Sequence, residues 1–246
     1  MKIKIAITDS RISTEEERKL TLAGFKVITL PPFSKLSEPV ASHTDMLIHK
    51  IGAEYISYAD YCEEASYVFS DLSFLTMPAG AKFSLTADEV SEKYPNDCKL
   101  NALRLGNKLF LKADSASEYL ICAAERAGIE IVSTNQGYPA CTVLKLNDSA
   151  VITADQGMAK ILTEHSIRVT TIQNGAIELH PYEYGFIGGA GGVCDGVLYF
   201  FGNPEHHPDA DKILTAAKNE GLRIVALSNG PLRDLGGILF VEGDIN

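Results

Sequence analysis

A repeated order of elements, two strands followed by a helix and a third strand, constrains the fold of this chain more than any single motif. The repeat is clearest between residues 139 and 173. Cys141 to Leu146 and Ala150 to Thr153 are predicted as short strands, because β-branched and apolar residues lie between turn residues. A helix is predicted from Asp155 through His165, and a third strand at 167–172.

The same order of elements recurs in four further stretches, and one of them is divided between the two ends of the chain. Residues 1–30 show a strand, a helix and a strand but lack the first strand, which Gly237 to Glu242 supplies. A unit shared by the termini closes a ring of repeats. The approximate units are 237–246 with 1–30, 43–94, 97–133, 139–173 and 186–228.

These units predict an α/β fold of five ββαβ repeats in a single domain, 1–246, since no Pro/Ser/Gly-rich linker interrupts the chain. A hydrophobic content of 46% is enough for a substantial core. The least regular region is 61–94, and we interpret it as a long insertion that could act as a lid.

Charge and apolar pattern restrict the partners of the protein. A formal net charge of -10 argues against nucleic acid, whose phosphates require a basic surface, and favours a small cationic ligand. No apolar run approaches the roughly 20 residues of a membrane span, and the chain begins with a charged strand rather than a signal peptide. We therefore expect a cytoplasmic protein with neither a membrane nor a nucleic-acid partner, and the oligomeric state stays open.

The residues that could carry chemistry lie in the leading segments, by which we mean the residues just before the first strand of each unit. His43 and Asp45 lie two residues apart, which predicts that both project from one face of a strand. If all units point the same way, the leading segments meet at one end of the ring and form a concave site. Carboxylates in these segments are Asp45, Asp97 and Asp234, and Asn101 lies close by.

Two cysteines compete for the role of a nucleophile. Cys98 follows Asp97, whose negative charge raises the pKa of a neighbouring thiol unless a cation or amide N–H groups outweigh it. Cys141 holds the corresponding position one unit later. Each is otherwise a small buried apolar residue. The chain has five cysteines, an odd number without CxxC spacing, so the sequence indicates neither a disulfide framework nor a zinc ribbon.

Two glycine pairs lie in the last leading segments, Gly188-Gly189 and Gly236-Gly237. A phosphate-binding glycine loop follows a strand and opens a helix, whereas the glycines at 188–192 run into a strand. We therefore interpret both pairs as points of close backbone approach, either to a ligand or at the crowded centre of the ring.

One histidine cluster suggests a metal site, but its spacing favours a helix start. His206 and His207 precede Pro208 and Asp209, and a proline followed by an acidic residue is typical of the first turn of a helix. No third metal ligand lies at a plausible spacing. We expect neither a metal nor a cofactor.

Five such units closed by a split terminal unit resemble the pentein superfamily, the five-bladed β/α-propeller of guanidino-modifying enzymes such as arginine deiminase, dimethylarginine hydrolase and the amidinotransferases. His43-Thr44-Asp45 is similar to the His-x-Asp motif of that family. Arg233-Asp234 and Gly236-Gly237 are similar to its other leading segments. The stretches YGFIGGAGG and TADQGMAKIL resemble an uncharacterised bacterial branch. The resemblance implies blades around a pseudo-fivefold axis, closed by pairing of the N- and C-terminal segments.

The resemblance also implies roles for individual residues. Asp45, Asp97 and Asp234 would bind a planar guanidinium, with Asn101 and the two glycine pairs beside it, and His43 would act as the acid and base. A Cys thiolate would attack the central carbon of the guanidinium and form a covalent thiouronium-type intermediate. In the active enzymes that Cys lies in the last unit, and the segment 229–237 contains none.

Two functions therefore follow from the sequence. The first is a non-catalytic or degenerate pentein that binds a small guanidino or amidino cation, or a partner, at its acidic axial pocket. The second is a Cys-dependent hydrolase or amidinotransferase-like enzyme with Cys98 or Cys141 as the nucleophile. The missing cysteine in the last unit favours the first function, whereas His43, Asp45 and Asp97 favour the second. A thiol within about 5 Å of His43 would distinguish them.

Overall fold

The computed structural model describes residues 2–69 and 82–244, whose strands form five three-stranded sheets. The strands are β1 (Lys2–Asp9), β2 (Phe25–Leu30), β3 (Ile48–Ile51), β4 (Glu54–Tyr58), β5 (Lys82–Thr86), β6 (Leu103–Leu105), β7 (Lys108–Leu111), β8 (Glu130–Ser133), β9 (Val143–Asn147), β10 (Ala150–Thr153), β11 (Arg168–Thr171), β12 (Gly191–Cys194), β13 (Val197–Phe200), β14 (Arg223–Ala226) and β15 (Leu239–Asp244). The sheets have the orders β15-β1-β2, β3-β4-β5, β6-β7-β8, β9-β10-β11 and β12-β13-β14. The α-helices are Thr14–Leu22, Thr44–Leu47, Ala59–Glu64, Glu118–Arg126, Pro139–Thr142, Gln156–Glu164 and Ala210–Asn219.

In every sheet the middle strand is antiparallel to the first and parallel to the third. An antiparallel pair needs only a tight turn, whereas a parallel pair needs a crossover, which is usually a helix. The turn at Asp195-Gly196 shows the local chemistry, because both residues have positive φ, 50° and 71°, as a two-residue hairpin requires. The repeat seen in the sequence is therefore the repeat of the sheets.

Two helices of the repeats each bury one large and two small side chains. In Glu118–Arg126 these are Leu120, Ala123 and Ala124, and in Ala210–Asn219 they are Ile213, Ala216 and Ala217. The spacing i, i+3, i+4 places the three on one helix face. Each of these helices therefore presents one apolar face, on which small residues permit close packing.

The two ends of the chain share one sheet. β15 pairs antiparallel with β1 from Leu239↔Ile7 to Asp244↔Lys2, and β1 pairs parallel with β2. The strand predicted to begin at Gly237 begins instead at Leu239. Gly236 and Gly237 have φ values of +66° and +74°, a left-handed backbone that does not continue a strand.

Two of the leading segments differ from the prediction, because residues predicted to start a strand form a short helix instead. His43 precedes the helix Thr44–Leu47, and Ile48 is the first strand residue, so the prediction that His43 and Asp45 share a strand face was wrong. Cys141 likewise lies in the helix Pro139–Thr142. Pro139 favours this turn, since proline is pre-organised for the first helical position.

The region 61–94 is more regular than predicted. The helix Ala59–Glu64 extends into it, and β5 pairs parallel with β4 from Lys82 to Thr86, as the third strand of its unit. The lid hypothesis for this region falls in part on residues 70–81, which lie outside the described residues. Across the described part of the chain, no helix has both the length and the apolar character that crossing a membrane requires.

Candidate active site

Four of the leading segments contribute polar side chains to one cavity of about 360 Å³. The four are His43, Asp97, Cys141 and Asp234, which the sequence placed in four different units. A second, largely aromatic wall comes from the loop between β11 and β12 and includes Tyr182, Glu183, Tyr184 and Phe186. The lining thus combines a thiol, an imidazole, aromatic rings and carboxylates from both walls.

His43 lies at the centre of this arrangement, with no exposed surface. Its Nε2 is 3.8 Å from Oδ2 of Asp9 and its Nδ1 is 3.8 Å from Oδ1 of Asp234, and neither nitrogen has a hydrogen-bond partner. Burial lowers the pKa of His43, although the two carboxylates oppose the shift. His43 is therefore a neutral imidazole near pH 7, which can accept a proton.

The Cys141 thiol is next to His43. The reactive atoms of His43, Asp45 and Cys141 all lie within 4.8 Å of one another. Asn101 donates its Nδ2–H to the Cys141 sulfur at 3.0 Å and accepts from the backbone N–H of Ala140 at 2.9 Å. Asn101 therefore positions the sulfur and supplies a hydrogen bond that stabilises a thiolate.

The Cys141 thiol is nevertheless protonated in the free protein. Burial and the nearby carboxylates of Asp45 and Asp234 hold the pKa of Cys141 well above its ordinary value. A thiolate at this position requires an added positive charge nearby.

Two of the carboxylates have buried oxygens that lack a partner. Both carboxylate oxygens of Asp45 are buried without a hydrogen bond, and burial raises the pKa of Asp45 to about 6. Asp97 accepts from the Tyr138 hydroxyl at 2.5 Å through Oδ2, but its Oδ1 is buried and unpartnered. Burial also raises the pKa of Asp97. An unpartnered buried polar atom costs about 1–3 kcal/mol, so several at one place indicate a site that serves a ligand.

Asp234 is fixed by the backbone. It accepts from the N–H of Phe186 at 2.8 Å and from that of Gly236 at 3.1 Å, and burial raises its pKa while His43 opposes the shift. These bonds tie the loop after β11 to the leading segment of β15. Asp234 thus joins the aromatic wall of the cavity to His43.

The glycine pairs let the leading segments approach one another. An added Cβ at Gly236 would overlap His43, and one at Gly189 would overlap the Asp234 carboxylate. At Gly188 it would overlap the carbonyl oxygens of Ala140 and Cys141. Of the two alternatives that the sequence left open, close packing at a crowded centre therefore describes these contacts.

Cys98 lies apart from this cluster. It is 2% exposed, its thiol faces the carbonyl oxygen of Pro95 at 3.3 Å, and it does not line the cavity. Burial and the neighbouring Asp97 raise the pKa of Cys98 to about 11. The structure therefore brings Cys141, and not Cys98, to His43.

A second cavity, of about 560 Å³, lies beside the first. It is lined by residues from the first strand of every sheet, and by Asp45, Gly188, Gly236 and Gly237. Asp45 is also within reach of Cys141, so this carboxylate separates the two cavities.

Sequence reasoning missed Asp9, Arg11 and Tyr138. Asp9 is fully buried at the end of β1, where Arg11 donates to it from Nε at 3.0 Å and from Nη2 at 2.6 Å. The sequence did contain a signal for Asp9 and Arg11. An acid and an arginine lie two residues apart at the end of a strand, at the position where the other units begin a helix. Tyr138 carries no such signal, because its contact with Asp97 spans two units.

The described residues contain one group suited to a metal ion, namely His43, Asp45 and Cys141. Imidazole, carboxylate and thiolate are the ligand types of zinc. His207, by contrast, accepts from the backbone N–H of Asp209 through Nδ1 at 2.9 Å, in the manner of a helix start. The same three atoms at the cavity can thus serve either as metal ligands or as a nucleophile, a base and a carboxylate.

A family model for a family of unknown function, DUF6873, matches residues 7–239. The chain belongs to the DUF6873 family. No curated protein matches the sequence. The fold of this DUF6873 protein is nevertheless shown by solved structures, which are penteins with low sequence identity to it.

Three of these structures cover most of the DUF6873 chain. DDAH from Pseudomonas aeruginosa, a Cys-to-Ser mutant complexed with citrulline, has a TM-score of 0.54 and 10% identity and covers 97% of this chain and 98% of its own. SxtG, an amidinotransferase from Microseira wollei in the saxitoxin biosynthetic pathway, has a TM-score of 0.52 and 17% identity, and the match covers 85% of this chain and 74% of SxtG. Inosamine-phosphate amidinotransferase from Streptomyces griseus has a TM-score of 0.50 and 14% identity, and the match covers 90% of this chain and 75% of that enzyme.

Proposed function

We propose that this DUF6873 protein is a Cys-dependent enzyme that acts on a guanidino or amidino compound. The observation that carries the proposal is the position of the Cys141 sulfur, within 4.8 Å of a ring nitrogen of His43 at the wall of an acidic cavity. This geometry favours the second of the two functions expected from the sequence. Cys141 takes the role of the nucleophile that the sequence left open between Cys98 and Cys141.

We further infer that the five sheets surround one axis, as the blades of a closed propeller in a single domain. The 560 Å³ cavity supports this arrangement, since it touches β3, β6, β9, β12 and β15, the first strand of each sheet. The pairing of β1 with β15 joins the two ends of the chain. With this arrangement the leading segments meet at one end of the axis, where the candidate site lies.

The cavity suits a planar cation. Asp97 and Asp234 offer carboxylates on one side, and Oδ1 of Asp97 is free to accept a hydrogen bond. A guanidinium presents N–H donors in one plane, and charge-assisted bonds to carboxylates are the strong ones. Tyr138 and Phe186 supply aromatic surface for its faces.

The chemistry follows from the neighbours of Cys141. The thiol proton passes to His43 as the sulfur attacks the central carbon of the guanidinium, so a C–S bond forms and the carbon becomes tetrahedral. One C–N bond then breaks, and the leaving amine takes the proton from His43. Attack by water on the thiouronium, with His43 accepting a proton, breaks the C–S bond and completes a hydrolysis. Attack by an acceptor amine instead completes an amidino transfer.

The substrate itself supplies the charge that the resting thiol lacks. Asp45 and Asp234 raise the pKa of Cys141, and a bound guanidinium neutralises this field. The pKa of Cys141 therefore falls when the cation binds, and proton transfer to His43 becomes favourable. The enzyme is thus activated by its substrate rather than poised as a thiolate.

The high pKa of Cys141 also favours an alternative function, namely a non-catalytic module that binds a guanidinium without turnover. Labelling with 2-chloroacetamidine, an electrophile that carries an amidinium, separates the two. Alkylation forms a C–S bond at the chloride-bearing carbon and releases chloride. We expect peptide mapping to find Cys141 modified at least about tenfold faster by 2-chloroacetamidine than by neutral 2-chloroacetamide, because only the former brings a cation.

The controls for this labelling lie in the same chain. Guanidinium chloride at low concentration should protect Cys141, and the variant Cys98→Ser should be labelled as fast as the wild type. Equal rates with the charged and the neutral reagent would contradict the proposal that the site binds a cation beside the thiol. Calorimetric binding of guanidinium without any labelling of Cys141 would support the non-catalytic module.

A further inference from the structure

The residues at the outer part of the candidate site indicate the class of substrate. This inference rests on the proposed function. We propose that the substrate is a guanidino compound without a carboxylate, whose tail ends in a second positive charge that Glu183 recognises. The guanidinium binds among the buried groups, and the tail extends between Tyr182 and Tyr184 toward the surface.

The inner end of the cavity is built for a ligand. His43 has no exposed surface, Asp97 is 6% exposed, and each places an unpartnered buried polar atom at this cavity. These atoms have no protein partner, so they remain available to a guanidinium. The inner end therefore fixes the orientation of the substrate, with the reacting carbon next to Cys141.

The outer end has the opposite exposure but the same sign of charge. Glu183 is exposed and lines the cavity between two tyrosines, and Tyr182 is 49% exposed. A carboxylate attracts an ammonium group by charge, and the aromatic rings that line the same cavity can add cation–π contact. It repels the carboxylate of an amino acid.

A substrate carboxylate would need a cation, and the cavity offers none among the residues that the structure describes. Its charged lining residues there are Asp97, Asp234 and Glu183, and His43 is neutral. Arg11, close to His43, is bound to Asp9 through two nitrogens. The carboxylates of the lining repel a substrate α-carboxylate, and no free cation among the described lining residues is present to bind one.

Three compounds test the proposal because they differ by one group at a time. Arginine and agmatine differ only in the carboxylate, and butylguanidine lacks the terminal ammonium of agmatine. We expect kcat/KM for agmatine to exceed that for arginine by about tenfold or more, since an unpaired desolvated carboxylate is costly to bind. Butylguanidine should be turned over at an intermediate rate.

Variants of Glu183 identify the group that reads the tail. Glu183→Gln should lower kcat/KM for agmatine about two- to fivefold, as expected for an exposed charge pair, and leave butylguanidine unchanged. Glu183→Lys should reverse the preference in favour of arginine. Glu178 is exposed on the same loop but does not line the cavity, so Glu178→Gln is the matched control and should change none of the three rates.

Different results would contradict the proposed substrate class and the proposed enzyme function. Turnover of arginine equal to or faster than that of agmatine would overturn this inference and leave the enzyme assignment intact. An equal effect of Glu183→Gln on all three compounds would do the same. Neither turnover nor calorimetric binding of any of the three, together with no selective labelling by 2-chloroacetamidine, would overturn both proposals.

Discussion

Cys141 and Cys98 are two buried thiols just before the first strands of successive units, and their surroundings differ. Cys141 is 4% exposed and Cys98 is 2% exposed, and the pKa of each is raised by burial first. Cys141 accepts a hydrogen bond from Asn101 and lies beside His43. Cys98 instead faces the carbonyl oxygen of Pro95, a group that can only accept.

The difference shows that neither burial nor a raised pKa identifies a nucleophile. A thiolate needs donors around the sulfur and a base that takes its proton, and only Cys141 has both among the described residues. Cys98 behaves as a small apolar residue beneath Tyr94 and Gly137. The reactivity of each thiol therefore depends on the neighbours of its sulfur, and the following variants replace either the sulfur or one of these neighbours.

Replacement of the sulfur itself should have the largest effect. We expect Cys141→Ser to lower kcat for agmatine by at least about 10⁴-fold, because serine is a far weaker nucleophile beside a neutral imidazole. The matched variant Cys98→Ser should retain activity within about threefold. Steady-state kinetics measures both, with circular dichroism as the control for folding. Loss of activity in both variants alike would remove the distinction between the two thiols.

The base next to Cys141 should have the second largest effect. We expect His43→Gln to lower kcat/KM about 10²–10⁴-fold, the usual contribution of a general acid and base. Burial lowers the pKa of His43, so the acid limb of the wild-type pH profile should fall below pH ~6.5, the ordinary value for histidine.

A matched histidine variant and the pH profile test this role for His43. His206→Gln, at an exposed histidine, should keep both the rate and the pH profile. An unchanged acid limb in His43→Gln would show that another group takes the proton.

Replacement of Asp45, the carboxylate next to Cys141, should change the stability of the folded protein. The pKa of Asp45 is raised to about 6 in the folded protein, above about 3.9 in the unfolded chain, so the native state binds more protons between these values. The free energy of unfolding therefore falls as pH rises through 6, and the charged carboxylate is costly at pH 8. We expect Asp45→Asn to raise this free energy by about 1–3 kcal/mol at pH 8 and by little near pH 4.

Chemical denaturation at the two pH values measures the effect of Asp45→Asn. Asp211→Asn, at an exposed position, is the control and should change the free energy of unfolding by no more than about 0.5 kcal/mol at either pH. Destabilisation by Asp45→Asn at pH 8 would mean that Asp45 forms favourable interactions as a carboxylate. It would then resemble Asp97, the neighbour of Cys98, whose carboxylate has Tyr138 as a donor.

Much of the local structure could be predicted from the sequence. The strand Ala150–Thr153 is found as predicted, and the helix capped by Asp155 runs from Gln156 to Glu164 within the predicted stretch. Short-range rules suffice for such elements, because turn residues, caps and β-branched runs act within a few positions. The leading segments escaped these rules. Their helical turns at 44–47 and 139–142 are only four residues long, too short for a periodic pattern.

Sequence patterns alone identify the five repeats, their split across the termini and the segments that contain His43, Asp97, Cys141 and Asp234. Contacts between units are needed to show which thiol lies beside His43, and that Tyr138, Asp9 and Glu183 lie near the site. The physical reason is close packing between units far apart in the chain. Gly236 makes room for His43, and Gly188 makes room for the backbone of Cys141, so steric contacts between leading segments set the distances on which the chemistry depends.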